Sequence, residues 1–258
     1  MNQLITLLLL QSISLACNEQ HNKVQTESAI INGTAINPYP AIKEIPLPAG
    51  YEREAADTTT FAHYLRNMGL RSDQTVYLYN GQPKHNQSAQ FALLDISTGK
   101  TDLQQCADAV MRLRAEYLFK EKQYDGIVFY DNNRSVYKFS APFTRDNFDK
   151  YLQKVFGMCG SASLAKQLHP VNDLQYIQPG DVIIRGGFPG HAVIVMDVAV
   201  NAAGKKIYLL AQSYMPAQDI HVLVNPMNTG LSPWYQVNEE EIIRTPEYTF
   251  TRHELKRW

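Results

Sequence analysis

Long hydrophobic runs are almost missing from this chain of 258 residues. The longest, Leu4 to Leu15, is too short to cross a bilayer as a helix, which takes about 20 apolar residues. Cysteine is scarce too. The three present (Cys17, Cys106, Cys159) form no Cys-x-x-Cys pair, which excludes a zinc ribbon and a disulfide-stapled scaffold. An excess of one charge is also absent. Lys and Arg number 24 against 25 Asp and Glu, so no global field draws in nucleic acid or an acidic membrane surface. No internal repeat, low-complexity tract or second domain boundary appears. What is present is ordinary globular material, 45% hydrophobic and 19% charged, enough for a sizeable core.

The apolar run Leu4 to Leu15 has signal-peptide length and ends Ser14-Leu15-Ala16-Cys17 before the polar Asn18-Glu19-Gln20. A small residue before a cysteine resembles a bacterial lipobox, which implies cleavage and a lipidated, N-terminal Cys17. Residues 18–45 are polar, then punctuated by prolines, and read as a tether. The expected organisation is a signal peptide over 1–17, a tether over 18–45 and one domain over 46–258.

Within that domain, helices are expected over 60–68, 103–122, 148–156 and 161–168, the second opened by Asp102 as N-cap. Strands are expected over 76–79, 89–96, 127–130 and 136–139, with four or five more between residue 168 and the end. Helices first and an antiparallel sheet second argue an α+β fold, with helices packed on the sheet.

The most informative stretch is Gly180-Asp181-Val182-Ile183-Ile184, a glycine- and proline-rich turn, then Gly190-His191-Ala192-Val193-Ile194-Val195. After a polar turn, Lys206 to Ser213 forms a second apolar strand that carries Gln212 near its end. A histidine and a second polar group on neighbouring strands are what a Cys/His hydrolase uses to activate a thiol. Gln105-Cys106 opens the long helix, where free N–H groups and the helix dipole favour a thiolate. That placement leads us to expect a depressed thiol pKa. Cys106 is thus the candidate nucleophile, His191 the base and Gln212 its orienter. Gln104 and Gln105 are candidate oxyanion donors. Cys159, in Gly-Met-Cys-Gly-Ser, and Ser161 are the other candidate nucleophiles. The bland readings are a buried apolar Cys106 and a His191 that satisfies a turn. Ser213 and His221 stand as alternatives to Gln212. Cys106 and Cys159 are alternatively a structural disulfide. Tyr214 to Gln218 and Pro233 to Tyr235 are candidate groove walls.

The Leu174–Asp181 lead-in and the Gly-Asp-strand-Gly-His pattern resemble the C-terminal half of the NlpC/P60 and CHAP cysteine peptidases. That resemblance implies a papain-like fold and cleavage of cell-wall peptides. Over residues 45–250 the chain also resembles the DUF4846 proteins, a Bacteroidota family. The residues that carry this are Asp102 to Tyr117, Gly187 to Val193 and Ala211 to Gln218. That resemblance brings no activity with it.

The expectation is an envelope cysteine hydrolase acting on a peptide or amide bond. It would be held to a membrane through Cys17 and need no metal or other cofactor. No nucleic-acid partner is expected. The competing expectation is a non-catalytic envelope lipoprotein that binds peptide or glycan in the same groove. The lipid anchor has a direct check. A palmitate analogue fed to cells should label the wild-type chain and not Cys17→Ala. Equal labelling of the two, or none of either, would show that Cys17 is not acylated.

Overall fold

The computed structural model describes residues 30–31 and 34–258. The signal segment, Cys17 and the first part of the tether lie outside the described residues. The later part of the expected tether is packed. Asn37 is buried and donates to Tyr39 O and Arg71 O, and Ile42 and Ile45 are fully buried in the core. Tyr39, Ala41, Ile42 and Ile45 make no periodic pattern, so the burial of this stretch is not legible from spacing.

The centre of the fold is a nine-stranded sheet. Its strands are β1 (Tyr51–Arg53), β2 (Gln90–Leu93), β3 (His169–Pro170), β4 (Val182–Arg185), β5 (His191–Asn201), β6 (Lys206–Gln212), β7 (His221–Leu223), β8 (Tyr235–Gln236) and β9 (Leu255–Arg257). The order is β2-β7-β6-β5-β4-β9-β3, with β1 paired to the far end of β5 and β8 to the start of β6. Every pair is antiparallel. Val128–Tyr130 and Val136–Lys138 form a separate hairpin, as do Ile242–Arg244 and Thr249–Thr251. The segment 76–79 makes only isolated bridges rather than a strand.

Four helices are α1 (Phe61–Arg66), α2 (Cys106–Lys120), α3 (Arg145–Met158) and α4 (Ser161–Gln167). This is a mixed α/β architecture with a mostly antiparallel sheet and few helices. α2 is the hub. Cys106 to Met111, Leu113, Ala115, Tyr117 and Leu118 are all buried. A helix with this many buried residues has to be covered by neighbouring elements. It is enclosed by α1, α3, α4 and the β5 side of the sheet.

Alternation along the strands divides the core in two. Ala192, Ile194 and Met196 of β5 face the helices, together with Leu209 and Ala211 of β6. Val193, Val195 and Val198 face the opposite layer, with Tyr208, Leu210 and Phe250. A register shift between Leu209 and Leu210 marks a bulge near Met196.

The Gly180-Asp181 pair is structural. Gly180 has φ +92°, and a Cβ there would lie 2.6 Å from the Phe61 ring. Asp181 is fully buried and takes a two-pronged hydrogen bond from Arg257 at 2.6 and 2.7 Å, which fastens β9 beside β4. A second buried carboxylate, Asp197 in β5, accepts from Arg53 Nε at 2.7 Å and Arg66 Nε at 2.8 Å. It thereby joins β1 and α1 to the sheet. Removing one partner of a buried ion pair costs about 3–5 kcal/mol. Asp197→Ala should lose about 3 kcal/mol in urea unfolding, because both arginines retain some access to water. A loss under about 1 kcal/mol would mean the triad does not hold these elements together.

Candidate functional site

Two of the residues named from sequence meet directly. His191 opens β5 and Gln212 closes β6, with Ala211 opposite Ile194, so the two side chains are diagonal neighbours. His191 Nε2 lies 2.7 Å from Gln212 Oε1, and both residues are buried. The amide cannot turn over. Its Nε2 donates to Glu247 Oε2 at 2.8 Å and faces His221 Nε2 at 3.4 Å. An amide oxygen only accepts, so His191 carries its proton on Nε2 and its lone pair on Nδ1. His221 is the opposite tautomer. Its Nδ1 donates to Asp219 O at 2.9 Å, which leaves the Nε2 lone pair for the amide.

Behind Gln212 stands a charged pair that sequence reading missed. Lys84 Nζ reaches Glu247 Oε2 at 2.5 Å, and Asn86 Nδ2 donates to Glu247 Oε1 at 3.1 Å. Lys84 sits in a polar, turn-like stretch, and nothing local signals that its head group is buried. The His191 ring is enclosed by Tyr214, Tyr248 and Phe250, with ring centres 4.7, 5.0 and 5.8 Å away.

Cys106 is the first residue of α2, three positions later than the expected helix start. Its N-cap is Gln105, not Asp102. Asp102 instead accepts from Ala217 N at 2.7 Å and from Gln105 Nε2 at 3.1 Å. The backbone N–H groups of Ala107, Ala192 and Cys106 itself act on the thiol and favour its ionised form. The thiol therefore reaches β5 at the residue next to His191. No hydrogen bond joins its sulfur to the imidazole, whose ring packs against the layer on the far side of the sheet from α2. The expected depression of the thiol pKa is absent. Burial, aided by nearby Asp108, pushes the Cys106 thiol up to about 11. Burial likewise pushes His191 down to about 4. At pH 7 both groups are neutral, so the resting pair is thiol and imidazole rather than thiolate and imidazolium.

The other candidates are placed as follows. A cavity of about 190 Å³ opens over the start of α2, lined by Gln105, Cys106, Cys159, Ser161, Gly190 and Met215 among others. Cys159 caps the end of α3, and burial raises its thiol pKa as well. Both thiols are free, so no disulfide links Cys106 to Cys159. Ser161 Oγ donates weakly to Gly187 O at 3.3 Å and meets no base. Gln104 does not line this cavity. Its Oε1 accepts from Arg112, and it faces a separate cavity of about 490 Å³. Ser213 is spent on Gln104 O and Gln218 O. Of the proposed groove walls, Met215 lines the Cys106 cavity, whereas Trp234 and Tyr235 are core.

With this geometry in view, comparison with known families is informative. The model of DUF4846, a domain of unknown function, matches residues 42–143 and 130–257. The chain belongs to that family. The first match carries Lys84 and Cys106, and the second carries His191, Gln212, His221 and Glu247, so the whole polar cluster lies within the DUF4846 region. No curated protein and no solved structure matches the chain.

The two buried histidines make a pH prediction. Burial lowers each to about 4 from 6.5. An unfolded chain takes up a proton at each ring as pH falls below 6.5, and the folded chain does so only near 4. Stability is therefore complete above 6.5 and lost as pH falls through that window, by about 3 kcal/mol for one such ring. Nitrogen-15 spectra of the histidines at pH 6 should show His191 neutral with the proton on Nε2 and His221 neutral with it on Nδ1. Protonation of either near pH 6.5 would refute the network.

Proposed function

We propose that this DUF4846 protein is a papain-like cysteine hydrolase of the bacterial envelope that cleaves a peptide or amide bond in cell-wall material. The observation that carries the reading is the position of Cys106. Its thiol lies at a helix N-terminus against the backbone next to His191, whose ring, on the other face of the sheet, has its Nε2 proton held by Gln212. That pinning leaves the Nδ1 lone pair free to act as the base.

In the proposed reaction the His191 ring, at the start of its strand, turns to the α2 side of the sheet, and the Cys106 thiol gives its proton to Nδ1 as the sulfur attacks the carbonyl carbon. The imidazolium then passes that proton to the departing amine, and an acyl-thioester remains on Cys106. Water attacks the thioester, His191 takes up the water proton and returns it to the thiol, and the acid product leaves. Gln212 holds the resting ring, and Glu247 holds Gln212. Because the resting pair is neutral, the proton moves with substrate bound instead of in advance. The raised thiol pKa and the missing sulfur–imidazole hydrogen bond favour the second reading, a lipoprotein that binds peptide or glycan without cleaving it.

Soluble cell-wall peptides incubated with the purified protein distinguish the two. Cleavage should appear as new amine and carboxyl ends by mass spectrometry. Cys106→Ala and His191→Ala should each lower kcat by at least about 100-fold with circular dichroism unchanged. Cleavage that survives Cys106→Ala removes Cys106 from the mechanism. Binding by calorimetry without any cleavage turns the assignment to the binding lipoprotein.

A further inference from the structure

The cavity over the start of α2 has one wall that the hydrolase chemistry does not use. Asp108, in the first turn of α2, lines it and is only 5% exposed. Its Oδ2 accepts from the Gln105 N–H at 3.0 Å, while its Oδ1 has no partner in the protein. Leaving a buried polar atom unpaired costs about 1–3 kcal/mol, and such an atom calls for a partner the chain does not supply. The remaining lining holds no Lys, Arg or His. The second carboxylate there, Asp102, already accepts from Ala217 N and Gln105 Nε2. Phe188, 96% exposed, and Met215, 47% exposed, form an apolar rim. At about 190 Å³ the cavity is smaller than the roughly 300–1,000 Å³ that takes a drug-sized ligand, so it holds one group rather than a whole chain.

We propose that this cavity is a subsite for one uncharged side chain or acyl group, whose carbonyl oxygen accepts a hydrogen bond from the Asp108 carboxyl at Oδ1 while its apolar body packs on Phe188 and Met215. The ligand is a piece of the hydrolase's substrate only if Cys106 is the nucleophile; the preference for a neutral group rests on the lining alone. Burial raises the Asp108 carboxyl well above its ordinary range, which favours the protonated form. With Oδ2 occupied as an acceptor, the donor is Oδ1. An anion finds no cation in this lining.

The test uses small alkylating probes on the purified protein at pH 7.5, with Cys106 modification followed by mass spectrometry. Iodoacetamide is neutral and carries an amide carbonyl, iodoacetate is its anionic analogue, and 2-bromoethylamine is cationic. Each rate is divided by the probe's rate on glutathione. All three react at the same thiol, so its ionised fraction cancels and the ratio reads the cavity whether or not His191 acts as a base. Iodoacetamide should be favoured about tenfold over iodoacetate. Asp108→Asn, which can both accept from Gln105 and donate to the ligand, should keep that preference. Asp108→Ala should lower the ratio of the iodoacetamide rate to the iodoacetate rate about fivefold, the worth of one hydrogen bond. If Asp108→Ala fails to fold, wild type and Asp108→Asn still decide. Equal normalised rates for iodoacetamide and iodoacetate overturn the proposal. So does a folded Asp108→Ala with an unchanged iodoacetamide-to-iodoacetate ratio. Fastest reaction with 2-bromoethylamine, abolished in Asp108→Asn, would mean an ionised Asp108 that binds amines. A failure of the hydrolase reading shows instead as cleavage indifferent to Cys106 and leaves these ratios untouched.

Discussion

The structure depends on the burial of α2. Ten of its fifteen residues are buried, and its neighbours on every side are fixed by having to cover it. The small side chains Ala107, Ala109 and Ala115 let its neighbours approach closely, while Val110, Met111 and Leu113 fill the core around it. Because the helix is rigid, its first turn has one place to be. That place is the start of β5, where the Cys106 thiol meets the backbone beside His191. A helix held loosely would not bring a thiol to a particular peptide group.

The polar cluster on the other layer of the sheet obeys a different constraint. His191, Gln212, His221, Glu247 and Lys84 are all removed from water to a large degree, and each must find its partners among the others. The result is a chain of hydrogen bonds with one direction. Lys84 and Asn86 fix Glu247, Glu247 fixes the Gln212 amide, and the amide sets opposite tautomers on the two histidines. This is the arrangement a base requires, because a ring free to exchange tautomers offers its lone pair only part of the time. The same burial that fixes the ring also lowers its basicity.

The thiol shows the same opposition. Helix N-terminal N–H groups stabilise a thiolate, and burial destabilises it. Here burial prevails, and Cys106 rests protonated. A bound substrate that replaced the thiol's surroundings with a polar carbonyl would alter that balance.

Much of the architecture was legible along the chain. The four helices, the hairpin at 128–138 and the long antiparallel pair β5–β6 follow from local apolar spacing and from turn residues, which are properties of neighbours in sequence. The partnership of His191 with Gln212 was legible as well, since two strands joined by a short turn must lie side by side. The start of α2 was displaced because Asp102 was a good cap by residue type, yet its carboxylate is committed to Ala217, 115 positions away. Glu247 and Lys84 left no trace in the sequence, because only tertiary packing removes an ordinary charged residue from water and gives it a partner. The thiol pKa belongs to the same class. Residue type and helix position set the stabilising part, and the depth of burial, which only the folded chain decides, set the sign.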